Sequence, residues 1–142
     1  MAPIQRTAMG EWRGDLRGGK GEIDTPTSGV LHDTPFTYAT RFENAKGTNP
    51  EELIAVAHAA CYSMAFAKYL SGKGHVPEEI TTQATITLDQ DEITKMHLAT
   101  RGRVPGVNEE DFQRLADEAE KQCPVSNLLR NGLEITLEAS LM

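Results

Sequence analysis

The chain predicts an α+β fold, a reading that rests on three observations. Roughly the first forty residues carry short β-prone runs separated by Gly, Pro, Asp and Ser. A long apolar segment then opens at Asn49-Pro50 with helical rather than alternating character. Beyond it come an alternating run over 82–88, an acidic amphipathic stretch from Asn108 and a last β-prone run ending the chain.

Each element has a local reason. The basic stretch around Leu16-Arg17-Gly18-Gly19-Lys20-Gly21 lacks phosphate-loop spacing and reads as a hairpin turn. Phe36, Tyr38, Thr40 and Phe42 share one face if residues 36–42 are extended, which turns Arg41 to the other face. Asn49 suits a helix N-cap, Pro50 the first helical position, and Glu51 and Glu52 complement the positive end of the helix dipole. That helix should run to about residue 70, before Gly72 and Gly74. Leu53, Ile54, Val56, Ala57, Ala60, Cys61, Met64, Ala65 and Phe66 make it apolar on nearly every side, as in a helix packed between layers or between subunits. Asp89-Gln90-Asp91-Glu92 reads as the turn between two strands, 82–88 and 93–104. The amphipathic helix from Asn108 runs through Lys121, Cys123-Pro124 interrupts it, a short helix over 125–130 closes at Asn131-Gly132, and the strand 133–141 completes the sheet.

Composition narrows the function classes. With 142 residues the chain is sized for one domain, 1–142, with a real core. A formal charge of −7 with scattered Lys and Arg argues against nucleic acid as a partner. The amino terminus lacks an apolar signal region and no run reads as a membrane span, so the expected location is cytoplasmic, with no membrane partner. In a reducing compartment two cysteines are reactive or inert thiols rather than a structural staple. Cys61 lies inside the apolar helix and Cys123 at a helix start, the latter a position that acidifies a thiol.

Five segments taken in order are informative together: Trp12-Arg13-Gly14-Asp15, Thr40-Arg41-Phe42-Glu43, Gly47-Thr48-Asn49-Pro50-Glu51-Glu52-Leu53, Ala57-His58-Ala59-Ala60-Cys61 and Cys123-Pro124-Val125-Ser126. This combination resembles the OsmC/Ohr family of thiol peroxidases, closest to its OsmC branch. The resemblance implies antiparallel sheets packed around a central apolar helix in an intertwined homodimer that reduces organic hydroperoxides. It puts the peroxidatic cysteine at Cys61, the resolving cysteine at Cys123, the assisting arginine at Arg41 and the carboxylate that orients it at Glu51. Arg13 and Arg17 stay open as alternatives to Arg41, because in the Ohr branch the arginine lies nearer the amino terminus. The resemblance also implies a dithiol reductant such as a lipoyl group, with no bound cofactor.

The chemistry is consistent with those residue types. Attack on an O–O bond needs a thiolate, and a free cysteine with a pKa of about 8.5 supplies little at neutral pH unless a cation lowers it. A guanidinium stays charged and offers donors to sulfur, peroxide oxygen and carboxylate at once. Glu51 and Cys61 sit ten residues apart, roughly 15 Å along one straight helix. Two copies packed antiparallel about Val56 would bring Glu51 of one near Cys61 of the other.

Rival readings remain. A Cys–His nucleophile using His58 lacks an identifiable third group. Zinc held by Cys61, Cys123, His58 and His75 would need spacings that match no common site, so no metal is expected. A non-catalytic, redox-sensing or hydrophobic-ligand-binding dimer is the alternative function. Thiol-dependent acyl transfer would need a base and an oxyanion hole that the sequence does not reveal.

Overall fold

A computed structural model describes residues 1–142. It comprises two compact units, residues 1–50 and residues 51–142.

In the first unit β1 (Met9–Arg13), β2 (Lys20–Asp24) and β3 (Thr34–Phe36) form an antiparallel sheet in the order β1-β2-β3. The predicted turn around Leu16–Gly21 joins β1 to β2, with the Asp15 carboxylate accepting from the Gly18 amide at 2.6 Å. Trp12 and Phe36 meet across the sheet with ring centroids 5.4 Å apart.

The expected strand over residues 36–42 is corrected here. Of that span only Phe36 belongs to a strand, Thr37 is an extended N-cap, and Tyr38–Phe42 form a short helix, α1. The reason is a reciprocal cap: the Thr37 hydroxyl accepts from the Thr40 amide at 3.2 Å, while the Thr37 amide donates to the Thr40 hydroxyl at 2.9 Å. The spacing between Tyr38 and Phe42 was ambiguous, since residues four apart share a face in a strand and in a helix alike. Their rings pack at 4.9 Å on the helix. Arg41 falls in the last turn of α1, where a cation complements the dipole, and its guanidinium lies 5.0 Å from the Phe42 ring centre. The Asn49 side-chain amide donates to the Thr40 carbonyl at 3.1 Å, tying the end of the unit back to α1.

All but the first residue of α2 (Pro50–Gly72) belongs to the second unit, and its start agrees with the reading of Pro50 as the first helical position. Ala55, His58, Tyr62, Phe66 and Leu70 are buried, a stripe at intervals of three and four residues. Val56 and Met64 on other faces are 59% and 76% exposed in the single chain, so within one chain the helix is not enclosed on every side. The expectation that no run is apolar enough to cross a membrane is corrected here: by length and composition α2 is, with a window of mean hydropathy 1.3. Its buried stripe instead joins the core of this unit.

β4 (Glu79–Asp89) and β5 (Glu92–Arg103) form an antiparallel hairpin around Gln90 and Asp91. β4 alternates without a break, its even-numbered residues from Ile80 to Leu88 turned inward. α3 (Glu109–Glu120) is capped by Asn108, whose side chain accepts from the Asp111 amide at 2.8 Å. α4 (Pro124–Leu129) follows, and β6 (Glu134–Leu141) closes the sheet in the order β4-β5-β6.

β6 pairs with β5 in parallel, from Lys95 opposite Glu134 to Gly102 opposite Leu141. The expectation of antiparallel sheets therefore holds for the first sheet and the hairpin but not for β6. The cause is the connection: α3 and α4 return the chain to the end of the sheet where β5 began, and a parallel pair requires such a crossover.

Phe112, Leu115, Ala116 and Ala119 of α3 face inward onto Met96 and Leu98 of β5 and onto the stripe of α2. Phe66 and Phe112 lie 5.0 Å apart, and the Tyr62 hydroxyl donates to the Ala116 carbonyl at 2.9 Å. Ser63, Thr82 and Thr100 form a run of hydroxyl contacts at 2.9 and 3.0 Å that satisfies the buried Thr100. These contacts fix α2 against both α3 and the sheet. The two thiols are thereby held by elements that share one core.

Candidate active site

Cys61 lies near the middle of α2, one residue before the core residue Tyr62, and it is partly exposed. Cys123 is fully buried at the N-cap of α4. Pro124 takes the first helical position, where its missing N–H is no loss. The Cys123 sulfur then occupies the place of a capping oxygen, accepting from the Ser126 amide at 3.5 Å.

The two sulfurs are 3.5 Å apart, within hydrogen-bond reach of one another. Both are free thiols. A disulfide has its sulfurs about 2.05 Å apart, so a closure of roughly 1.5 Å joins the pair. Sixty-two residues separate them along the chain, and the packing of α4 against α2 removes that distance.

The electrostatics of the pair are unequal. Burial pushes the Cys61 pKa up; the Val125 amide opposes this, and the Cys123 thiol adds to it. Burial also acts to raise Cys123, but hydrogen bonding from His58, from the amide and hydroxyl of Ser126 and from Cys61 overcomes it and brings the pKa down to about 7. Among residues 51–142 no cation acts on Cys61, so nothing in this unit supplies the positive charge that the sequence reading required for its thiolate. The acidified thiol expected at Cys123 is found, with side-chain hydrogen bonds as a large part of its cause.

His58 is fully buried on α2. Its Nε2 lies 2.6 Å from the Ser126 hydroxyl, and its Nδ1 has no partner. From the sequence His58 is a candidate base for Cys61, three residues on, or a zinc ligand. The structure links it through Ser126 to Cys123 instead. Ser126 was passed over as a functional residue, although Cys-Pro-x-Ser places a hydroxyl and an amide in the first turn of a helix capped by the cysteine. His58 and Ser126 are 68 residues apart, and no local spacing could have paired them.

The other predicted residues are placed as follows. Glu51 is buried in the first turn of α2, ten residues before Cys61 on the same continuous helix. That separation is roughly 15 Å along the axis, so one chain does not bring Glu51 to Cys61. Arg41 lies on α1 of the first unit, and both Arg41 and Glu51 carry interactions of their own. Arg13 pairs with Glu11 at the end of β1, and Arg17 lies 4.6 Å from the Tyr38 ring centre. His75 is not joined to either thiol, and the one cluster of metal-ligand type is Asp24, His32 and Asp33, in the other unit.

Comparison with known proteins accords with this geometry. The chain is 43% identical to the peroxiredoxin OsmC of Escherichia coli, with 97% of each chain covered. It is 32% identical over 97 residues to the organic hydroperoxide resistance protein of Xanthomonas axonopodis pv. citri, covering 64% of this chain and 66% of the relative. Among solved structures, an organic hydroperoxide resistance protein from Elizabethkingia anophelis superposes with a TM-score of 0.73 at 25% identity, covering the whole of both chains. The model of the OsmC-like protein family matches residues 43–138, a span that includes both cysteines, and the chain therefore belongs to the OsmC family.

Proposed function

We propose that this protein is a cysteine-based peroxidase that reduces organic hydroperoxides to alcohols. The observation that supports this reading most directly is the 3.5 Å contact between a partly exposed thiol and a buried, acidified one. Relatives named for peroxiredoxin activity and for organic hydroperoxide resistance support it independently.

The cycle uses Cys61 as the peroxidatic residue. Its thiolate attacks one oxygen of ROOH, the O–O bond breaks, and the departing alkoxide takes a proton to become ROH. Cys61 is left as a sulfenic acid. The Cys123 thiolate then attacks the Cys61 sulfur and hydroxide leaves, taking a proton to become water. A dithiol, of which a lipoyl group is one form, reduces the disulfide and is itself oxidised to a disulfide. Arg41 is the cation that favours the Cys61 thiolate and holds the peroxide, and Glu51 orients it. No bound cofactor enters any step.

The working form in this reading is a homodimer in which α2 pairs antiparallel with its copy. That arrangement brings Glu51 of one protomer toward Cys61 of the other, and the exposed Val56 and Met64 supply apolar surface for it. The whole of residues 1–142 acts as one peroxidase domain in the cytoplasm. It needs neither nucleic acid nor membrane.

The test is steady-state consumption of cumene hydroperoxide with dithiothreitol as donor. Cys61→Ser should abolish turnover. Cys123→Ser should retain a single stoichiometric reduction but lose disulfide-dependent cycling. Arg41→Lys should slow the oxidation step by about 10²-fold, since a flexible ammonium cannot keep the planar fork in place. Unchanged turnover in Cys61→Ser would refute the reading.

A further inference from the structure

His58 poses a question that packing does not answer. It is fully buried, its Nδ1 has no partner, and an unmet buried polar atom costs about 1–3 kcal/mol. Its Nε2 lies 2.6 Å from the Ser126 hydroxyl, a contact that leads toward the resolving sulfur, because the Ser126 amide already donates to Cys123 at 3.5 Å. A serine hydroxyl carries one proton and can accept others. When His58 Nε2–H donates to the Ser126 oxygen, the serine proton is released toward Cys123, and the sulfur gains a second donor. In that tautomer the unpartnered Nδ1 is an acceptor.

The two sulfurs also differ in access. Cys123 is fully buried, whereas Cys61 is partly exposed. An incoming thiolate must approach a disulfide sulfur on the side opposite its partner, and within the single chain only Cys61 has an exposed side for that approach.

We propose that His58 is a positioning residue for the reductive half of the cycle: acting through Ser126, it holds Cys123 as a thiolate, so that Cys123 is the sulfur expelled when a dithiol attacks the disulfide at Cys61. This inference rests on the peroxidase reading above. In the first step one thiolate of the dithiol bonds to the Cys61 sulfur, the Cys61–Cys123 bond breaks, and the electron pair leaves on Cys123. In the second, the remaining thiol of the donor gives up its proton and attacks its own mixed-disulfide sulfur, expelling Cys61. The donor ends as a disulfide, and its two protons pass to the protein thiols or to water. A less basic leaving sulfur departs faster, which is what stabilising its thiolate achieves.

The direction of the Cys123 shift agrees, since His58 is the foremost of the hydrogen-bonding groups that oppose burial. The other ionisable groups around the pair are Cys61 and Tyr62 on α2 and Asp117 and Glu120 on α3. Burial first, then those two carboxylates and Cys123, raise the Tyr62 pKa far out of the physiological range, so Tyr62 does not compete for the proton.

The experiment uses the full chain. In a Cys61→Ser background, thiolate absorbance against pH reports Cys123 alone. His58→Phe, which keeps the volume but removes the donor, should raise the midpoint by about one unit or more, and Ser126→Ala should raise it as well. His58→Gln, which restores an N–H near Nε2, should bring the midpoint partly back. With both cysteines present, dithiothreitol should reduce the preformed disulfide several-fold more slowly in His58→Phe, while stoichiometric oxidation of Cys61 by cumene hydroperoxide changes less than about two-fold. A mixed disulfide trapped with 2-mercaptoethanol should map to Cys61. An unmoved midpoint in both His58→Phe and Ser126→Ala, equal slowing of oxidation and reduction, or a mixed disulfide on Cys123 would overturn the proposal. The titration and the mapping need no peroxide. A chain that passes both yet fails to react with peroxide refutes the peroxidase reading alone, and an active peroxidase with unmoved midpoints refutes the role of His58 alone.

Discussion

Cys61 and Cys123 touch, yet their surroundings divide the work between them. Burial holds the proton on Cys61, and hydrogen bonds to the Cys123 sulfur hold the charge there. Reduced protein should therefore titrate in two separated steps that belong to the pair, one thiolate forming near pH 7 and the second above the ordinary cysteine range. Thiolate absorbance across pH checks this; two overlapping transitions in the ordinary range would contradict it. The same shift links stability to pH. A thiol whose folded pKa is depressed adds stability that is complete above the unfolded cysteine value and is lost as pH falls through about 7. Chemical unfolding of Cys61→Ser should show that decline between pH 9 and pH 6.5, two limits chosen to bracket roughly the folded and unfolded values, and adding Cys123→Ser should flatten it. Tyr62 offers a simpler case. Tyr62→Phe removes the donor to the buried Ala116 carbonyl and should cost about 1–2 kcal/mol, measured by denaturant midpoint.

Elements with repeated, one-faced patterns are legible in the sequence alone. The Asn-Pro-Glu-Glu start of α2, the unbroken alternation of β4 and the Asn108 cap of α3 each combine a period with a terminal signal, and all three stand where the sequence put them. Asn108→Ala should accordingly cost about 1 kcal/mol of stability by removing the acceptor for the Asp111 amide. α1 is not legible as a helix, because its aromatic spacing fits two periods and only the Thr37–Thr40 cap decides between them. The parallel direction of β6 was not legible either, since direction depends on where α3 and α4 deliver the chain rather than on any residue in the strand. Gly102 shows how closely the elements approach. A Cβ there would lie 2.7 Å from Phe112 Cζ and 2.9 Å from Ile80 Cδ1. Gly102→Ala should therefore destabilise by about 1–3 kcal/mol through overpacking of β5 against α3, visible as a lowered Tm.

At the scale of the whole molecule, the candidate site was legible by residue type and only in part by partnership. Both cysteines were identifiable from their local settings, and the fold brings them into contact. The tie from His58 through Ser126 to Cys123 depends on packing between segments 68 residues apart, which no spacing in the sequence encodes. The Glu51-to-Cys61 distance along α2 and the exposed Val56 and Met64 fit a site completed by a second copy. Light scattering at micromolar concentration should give a mass about twice the 15.6 kDa of one chain, and a fully active monomer would refute the composite site.

The central claim is that Cys61 and Cys123 form a peroxide-driven disulfide pair. Its most direct test is the intact mass and free-thiol count of reduced protein before and after one equivalent of cumene hydroperoxide, with Cys61→Ser and Cys123→Ser alongside. The account predicts loss of both thiols and about two mass units, and a trapped sulfenic acid on Cys61 only when Cys123 is absent. Survival of both thiols after minutes of exposure would contradict it and leave a non-catalytic ligand-binding dimer as the better description.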